Sequence, residues 1–138
     1  EAAASGYESA AALLADLRGS DDLPIYRVAF HLAPGPDPRD ELAATVIEAE
    51  SDFSETAKRL ARLDAANRSG PWTAKTLDLI ARNPTVRAGD LAPQLGQELL
   101  DFKLNVRKLK NLGLTLSLGT GYRLSPRGEA FRNWATNR

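Results

Sequence analysis

The stretch from Leu99 to Phe131 most constrains the fold, because its periodicity changes from helical to extended and back to helical. Its first part carries apolar residues at the spacing of one helix face: Phe102, Val106, Leu109 and Leu112. Asp101 stands at the expected N-cap, and Gly113 follows the last turn, where a left-handed residue is favoured. The pattern predicts a helix over residues 101–112.

The face of this helix opposite the apolar stripe is basic. Lys103, Arg107 and Lys110 follow one another at about one turn. Their neighbours on the same surface are Leu104, Lys108 and Asn111. Lysine and arginine bind phosphate, while arginine also suits guanine and asparagine suits adenine. The helix is therefore a candidate contact for nucleic acid.

A hairpin is predicted directly after this helix. Leu114, Leu116 and Leu118 alternate with polar residues, which is the period of a strand. The turn Gly-Thr-Gly at residues 119–121 returns the chain into a second short strand at residues 122–124. Ser-Pro at residues 125 and 126 then predicts the cap and first residue of a closing helix.

Two motifs in this stretch resemble the second half of a bacterial winged helix-turn-helix domain. Residues 109–115, LKNLGLT, are similar to the end of a recognition helix, and residues 122–130, YRLSPRGEA, are similar to the signature that follows the wing. The resemblance covers about residues 71–138. It implies a helix that enters the major groove of DNA. The alternative is the same fold used only for dimerisation or subunit docking, because fold alone does not determine function.

The segment before the recognition helix predicts two further helices. Gly-Pro-Trp-Thr at residues 70–73 starts one that runs to about Asn83 and buries Ala74. Residues 87–95 resemble the first helix of a helix-turn-helix, and Pro93 predicts that it is short or distorted. Trp72 is expected in the core, with Trp134 as a candidate neighbour. The expected core residues are Leu77, Ile80, Leu91, Leu95, Val106, Leu109, Leu116 and Leu124.

The N-terminal segment predicts a helix over about residues 10–18 and a strand over residues 25–32. These two elements resemble the C-terminal tail of an ASCH domain, a PUA-like barrel associated with RNA or modified bases. The resemblance covers about residues 1–33 and carries no site residues. Since the chain begins with Glu1 and holds no methionine, we expect a fragment of a longer protein whose barrel is incomplete. The strand is then expected to pair with another chain, with the wing or with the missing barrel.

Prolines at positions 34, 36 and 38 predict a domain boundary. Residues 34–52 are read as a proline-rich linker with a short helix. Asp52 and Glu55 have the spacing of a capping box, which predicts a helix from about Phe53 to Asn67. The expected organisation is an N-terminal tail over residues 1–33, this linker, and a winged helix-turn-helix domain with a leading helix over residues 53–138. The fold class is mainly α (α+β).

Charge is divided between the two halves of the chain, although its formal net charge is zero. Residues 1–70 carry a net charge of −6 and residues 71–138 carry +6. Such asymmetry indicates a polyanionic partner for the basic half, or two halves that attract each other. No apolar run reaches the roughly 18 residues of a membrane span, so no membrane partner and a cytoplasmic location are expected.

No catalytic or metal-binding pattern is found in the sequence. The chain has no cysteine, and His31 is its only histidine. The turn at residues 119–121 lacks the following lysine and hydroxyl of a phosphate-binding loop. We therefore expect no enzyme activity in these residues, no catalytic or metal site and no cofactor.

Two hypotheses for function follow. In the first, the chain is a module that binds duplex DNA, or structured RNA, as part of a transcriptional regulator. In the second, it docks a partner subunit or forms a homodimer. The candidate nucleic-acid-binding residues are Lys103, Arg107, Lys108, Lys110, Asn111 and Arg123.

Overall fold

The computed structural model describes residues 5–17, 24, 26, 28–31 and 35–137. The chain divides into two compact units, residues 1–34 and residues 35–138. The division falls within the proline-rich segment, because proline removes backbone donors and favours extended chain. Each unit is described by itself.

The first unit contains one described helix, α1, over Ala10–Asp16. Ser9 caps it, since its hydroxyl accepts a hydrogen bond of 3.1 Å from the backbone N–H of Ala12. The predicted end of this helix at residue 18 lies outside the described residues. At the described positions of the predicted strand, Tyr26 and residues 28–31, the chain forms no strand and is exposed. The strand prediction is wrong for these positions, because none of them makes a ladder hydrogen bond with another described residue.

The second unit is mainly helical with one small hairpin. Its elements in chain order are α2 Pro38–Ala44, α3 Glu50–Ala65, α4 Thr73–Arg82, α5 Ala88–Leu91, a 3₁₀ turn Ala92–Leu95, α6 Leu99–Asn111, β1 Thr115–Ser117, β2 Tyr122–Leu124 and α7 Pro126–Thr136. The mainly α class with a minor β component is confirmed.

The segment predicted as a linker belongs to the second unit. Ala43 in α2 is buried, and Ile47 after it joins the hydrophobic core. Asp37 caps α2 through a 2.9 Å hydrogen bond from the backbone N–H of Arg39. The short helix predicted in this segment is present as α2, and the segment packs on the core of the second unit.

The start of α3 also differs from the prediction. The helix begins at Glu50, with Ala49 as its N-cap. Asp52 consequently lies inside the first turn rather than before it, and the capping-box prediction is wrong. Carboxylates in the first turn still stabilise the helix, because they face the positive end of its dipole.

A side chain of α3 caps the next helix. One carboxylate oxygen of Asp64 accepts hydrogen bonds from the backbone N–H groups of Trp72 and Thr73, at 2.8 and 2.9 Å. Its other oxygen accepts a 2.7 Å bond from the Thr73 hydroxyl. These bonds satisfy N–H groups that a helix start leaves without intrahelical partners, and they tie α3 to α4.

The helix predicted over residues 87–95 is interrupted, as Pro93 indicated. Regular α-helix ends at Leu91, and a 3₁₀ turn continues to Leu95. Gly96 then adopts a left-handed conformation at φ 63° and turns the chain into α6. The distortion prediction is confirmed.

The core lies between α3, α4, α5, α6, the hairpin and α7. The expected core residues that are buried are Leu77, Ile80, Leu91, Val106, Leu109 and Leu124. Leu95 and Leu116 are only partly buried, and Ala74 is exposed. Leu114, directly before β1, is fully buried instead. Trp72 is buried as expected, while Trp134 stacks on Phe53 with ring centroids 5.1 Å apart.

The hairpin pairs β1 and β2 antiparallel, with Leu116 opposite Arg123. At its turn, Gly121 has φ 70°, and a Cβ there would lie 2.2 Å from the carbonyl oxygen of Val86.

The sequence Ser-Pro-Arg-Gly that follows the hairpin has a structural explanation as well. The Ser125 hydroxyl accepts a 2.9 Å bond from the Gly128 N–H, and Gly128 packs directly on the Leu114 carbonyl. This motif therefore specifies packing and does not by itself indicate a binding site.

Candidate nucleic-acid interface

The orientation of α6 determines which of its side chains can reach a ligand. The helix begins at Leu99 with Glu98 as N-cap, so the prediction of Asp101 as the cap is wrong. Its buried stripe is Phe102, Val106 and Leu109. The helix ends at Asn111, and Gly113 follows its last turn as predicted. Gly113 has φ 71°, and its N–H donates a 2.9 Å hydrogen bond to the Lys110 carbonyl.

Five of the six predicted site residues are exposed: Lys103, Arg107, Lys108, Asn111 and Arg123. The first four belong to α6 and the last to β2. Lys103 and Arg107 are four residues apart, about 6 Å along the helix axis. Neither forms an ion pair with a described carboxylate. They form the open basic centre of α6.

Lys108 lies on one flank of that centre. Its ammonium nitrogen is 5.6 Å from the centroid of the Trp72 ring, within the range of a cation–π interaction. It also donates a long hydrogen bond of 3.4 Å to the side-chain oxygen of Asn105. These contacts turn Lys108 toward the loop between α3 and α4.

Lys110 lies on the opposite flank and is partly buried. The pKa of Asp37 is lowered to about 2, chiefly by hydrogen bonds from the side chain and backbone of Arg39, and the positive charge of Lys110 makes a small contribution to that shift. The charge of Lys110 therefore acts on Asp37, the N-cap of α2. The three basic residues that the sequence placed on one face are thus divided, and only Lys103 and Arg107 are fully open.

Sequence reasoning missed Arg87, which precedes α5. Arg87 and Lys103 line the same open cleft of about 390 Å³, whose other wall is the hairpin turn with Thr120 and Tyr122. The hairpin approaches here because Thr85 donates a 3.0 Å hydrogen bond to the Tyr122 carbonyl. A basic residue directly before a helix was the available sequence signal, but only the tertiary contact brings it beside α6.

Sequence reasoning placed Leu104 on the basic surface of α6 but missed Leu100 beside it. Leu100 is 73% exposed and Leu104 is 50% exposed. Together with Arg107 and Asn111 they recur at i, i+4, i+7 and i+11, on the side opposite the buried stripe. The helical spacing of this row could have predicted that both leucines are exposed, but sequence reasoning considered it only for the basic residues and their neighbours.

Metal and membrane features were searched over the described ranges only. No group of three or more His, Asp or Glu side chains among them could hold a metal ion. None of the helices in these ranges is long and apolar enough to cross a membrane.

Comparisons with known proteins yielded no match. No protein-family model matches the chain, and neither the curated proteins nor the solved structures contain a significant match to it.

Proposed function

We propose that the second unit is a winged helix-turn-helix module that binds nucleic acid, with duplex DNA as the preferred ligand. The observation that carries this proposal is the pair Lys103 and Arg107, exposed one turn apart on α6 without a carboxylate partner among the described residues. The order of α4, α5, α6, hairpin and α7 supports the fold. The proposed role is binding, without catalysis.

The module binds through α6 in the major groove, which accommodates one helix. Lys103 contacts a phosphate, and Arg107 contacts either a phosphate or the O6 and N7 atoms of a guanine. Asn111, one turn further along the same row, suits an adenine edge. Lys108 contributes less because it lies over Trp72 on the cleft side of α6, and Lys110 contributes less because it is partly buried.

The cleft between α6 and the hairpin turn offers a second phosphate contact. Arg87 and Lys103 place two positive charges in the cleft between α6 and the hairpin turn. Arg123 adds a charge on β2, but the turn at residues 118–121 carries none. Minor-groove contacts by the turn are therefore weak, and phosphate contacts supply most of the affinity.

Salt dependence of binding tests the proposal. The full chain is titrated against a labelled duplex DNA, an RNA hairpin and a single strand, with fluorescence anisotropy as the readout. Each phosphate that the protein neutralises contributes about −0.9 to the slope of log K against log salt concentration for duplex DNA. We expect the strongest binding to the duplex, with a slope that indicates several phosphate contacts.

A charge reversal locates the contact. Arg107→Glu is expected to abolish measurable binding at moderate salt and to leave the melting temperature nearly unchanged, because its side chain is exposed. The matched control is Lys58→Glu on α3, an exposed residue far from α6 in sequence. Equal losses in both variants would indicate non-specific attraction to a polyanion. No loss with Arg107→Glu would contradict the proposal and favour the docking hypothesis.

A further inference from the structure

One exposed side of α6 carries leucines, with an acidic residue before Leu104 and a basic residue after it. Leu100 and Leu104 are exposed near the start and middle of the helix. Asp101 lies three residues before Leu104, and Lys108 lies four residues after it. Asp101 and Lys108 are therefore about 10 Å apart along one side of the helix, with Leu104 between them.

These three residues line one concave surface. Asp101, Leu104 and Lys108 form the α6 wall of a cleft of about 400 Å³ whose opposite wall is the loop of residues 67–72. Lys108 lies over Trp72 at the basic end of the cleft, and Glu98 joins Asp101 at its acidic end. The surface thus has an acidic end, an apolar centre and a basic end.

We propose that α6 pairs antiparallel with α6 of a second copy of the chain, around a two-fold axis near Leu104. In this arrangement Leu104 packs on Leu104 of the second copy, and Leu100 of each copy extends the apolar contact. Asp101 of each copy meets Lys108 of the other, because the axis passes between positions 104 and 105, and positions 101 and 108 are equally far from that point.

The charge order is the reason for a second copy as the occupant. A two-fold interface brings one surface onto itself, so every acidic position must meet a basic position across the axis. Asp101 and Lys108 lie on the same side of α6 and nearly equidistant from Leu104, which satisfies that condition. A parallel arrangement would instead place like charges together. Two adjacent leucines also need an apolar partner that a charged duplex offers only at thymine methyl groups.

Pairing has a consequence that rests on the proposed function. The dimer covers the row that contains Arg107, so the paired chain cannot place α6 in a groove. Dimerisation and nucleic-acid binding then exclude each other, and duplex DNA shifts the chain toward the monomer.

Sedimentation of the full chain without nucleic acid tests the pairing directly. We expect a reversible monomer–dimer equilibrium in the wild type. Asp101→Lys and Lys108→Asp each replace two ion pairs with two repulsive contacts, and each is expected to weaken the dimer roughly tenfold or more. Circular dichroism establishes that the variants remain folded, and Lys58→Asp on α3 is the control with unchanged dimerisation.

Mixing the two variants gives the decisive result. In a mixed dimer, the lysine introduced at position 101 of one chain meets the aspartate introduced at position 108 of the other. The second contact retains the native pair of Asp101 and Lys108. We therefore expect an equimolar mixture to dimerise with about the wild-type affinity, although neither variant does so alone. A monomeric wild type, or a mixture no stronger than its components, would overturn the pairing. Since no nucleic acid is present, neither result depends on the loss of DNA binding in Arg107→Glu.

Discussion

Residues of α6 either stabilise the core or are available at the surface, and the burial of each side chain shows which. Leu109 is fully buried and contributes to the core, whereas Arg107, two residues earlier, is exposed. A substitution at the first position changes the free energy of unfolding, and one at the second changes charge at the surface. The helical period separates these effects although the residues are neighbours in sequence.

Leu109→Ala is expected to lower the free energy of unfolding by about 2–5 kcal/mol, because it removes buried methyl groups and leaves a cavity. Denaturation in urea measures the change. Leu100→Ala on the same helix is the control and is expected to stay within about 0.5 kcal/mol of the wild type, since its side chain is exposed. A small effect at Leu109 would contradict the assigned register of α6.

The hairpin shows how one element is positioned by the backbone rather than by its side chains. Gly121 combines a left-handed conformation with close contact to residues 85 and 86. The hydrogen bond from Thr85 to the Tyr122 carbonyl holds the same approach. This contact places the hairpin turn opposite Arg87 and Lys103 and so forms the cleft beside α6.

Gly121→Ala is expected to cost about 2–4 kcal/mol of unfolding free energy, because a Cβ is strained at positive φ and overlaps the Val86 carbonyl. The matched control is Gly119→Ala in the same turn. A Cβ at Gly119 meets no heavy atom within 4 Å, and φ there is not positive. Thermal unfolding of both variants measures the difference. Equal stability would show that the hairpin does not approach the segment before α5.

At the scale of the whole second unit, the helices before α4 are part of the fold. Ile47, between α2 and α3, is buried in the same cluster as Leu109 and Phe131. Phe53 of α3 stacks on Trp134 of α7, and Arg132 of α7 forms a 2.7 Å ion pair with Asp78 of α4. These contacts make α2 and α3 structural components of the unit that carries α6.

Ile47→Ala is expected to lower the unfolding free energy of this unit by about 2–5 kcal/mol. Val46→Ala is the neighbouring control, because Val46 is 50% exposed and Ile47 only 4%. Tryptophan fluorescence measures the transition, since Trp72 lies in the core of this unit and Trp134 packs against that core. If Ile47→Ala unfolded like Val46→Ala, the segment before α3 would be a linker as the sequence suggested.

The sequence alone determined the elements whose pattern is local. The stripe of Phe102, Val106 and Leu109, the glycine after α6, the interruption at Pro93 and the short hairpin were all predicted correctly, because periodicity and turn chemistry act over a few residues. The same local rules misplaced the start of α6 at Asp101 and the start of α3 at Phe53. Both helices start earlier, with Glu98 and Ala49 as N-caps that make no side-chain capping bond, so the presence of a good cap residue did not determine the first residue of either helix.

Only the tertiary structure decided which charges stand together. Lys103, Arg107 and Lys110 have nearly equal spacing in the sequence, but Lys110 is partly buried and the other two are exposed. Arg87 and Lys103 line one cleft, and the hydrogen bond from Thr85, between α4 and α5, to Tyr122 holds the hairpin turn against that cleft. Likewise, the exposure of Leu100 was not foreseen, because neighbouring elements decide whether a helical leucine belongs to the core or to the surface. These outcomes depend on contacts between residues far apart in the chain, and no local pattern encodes them.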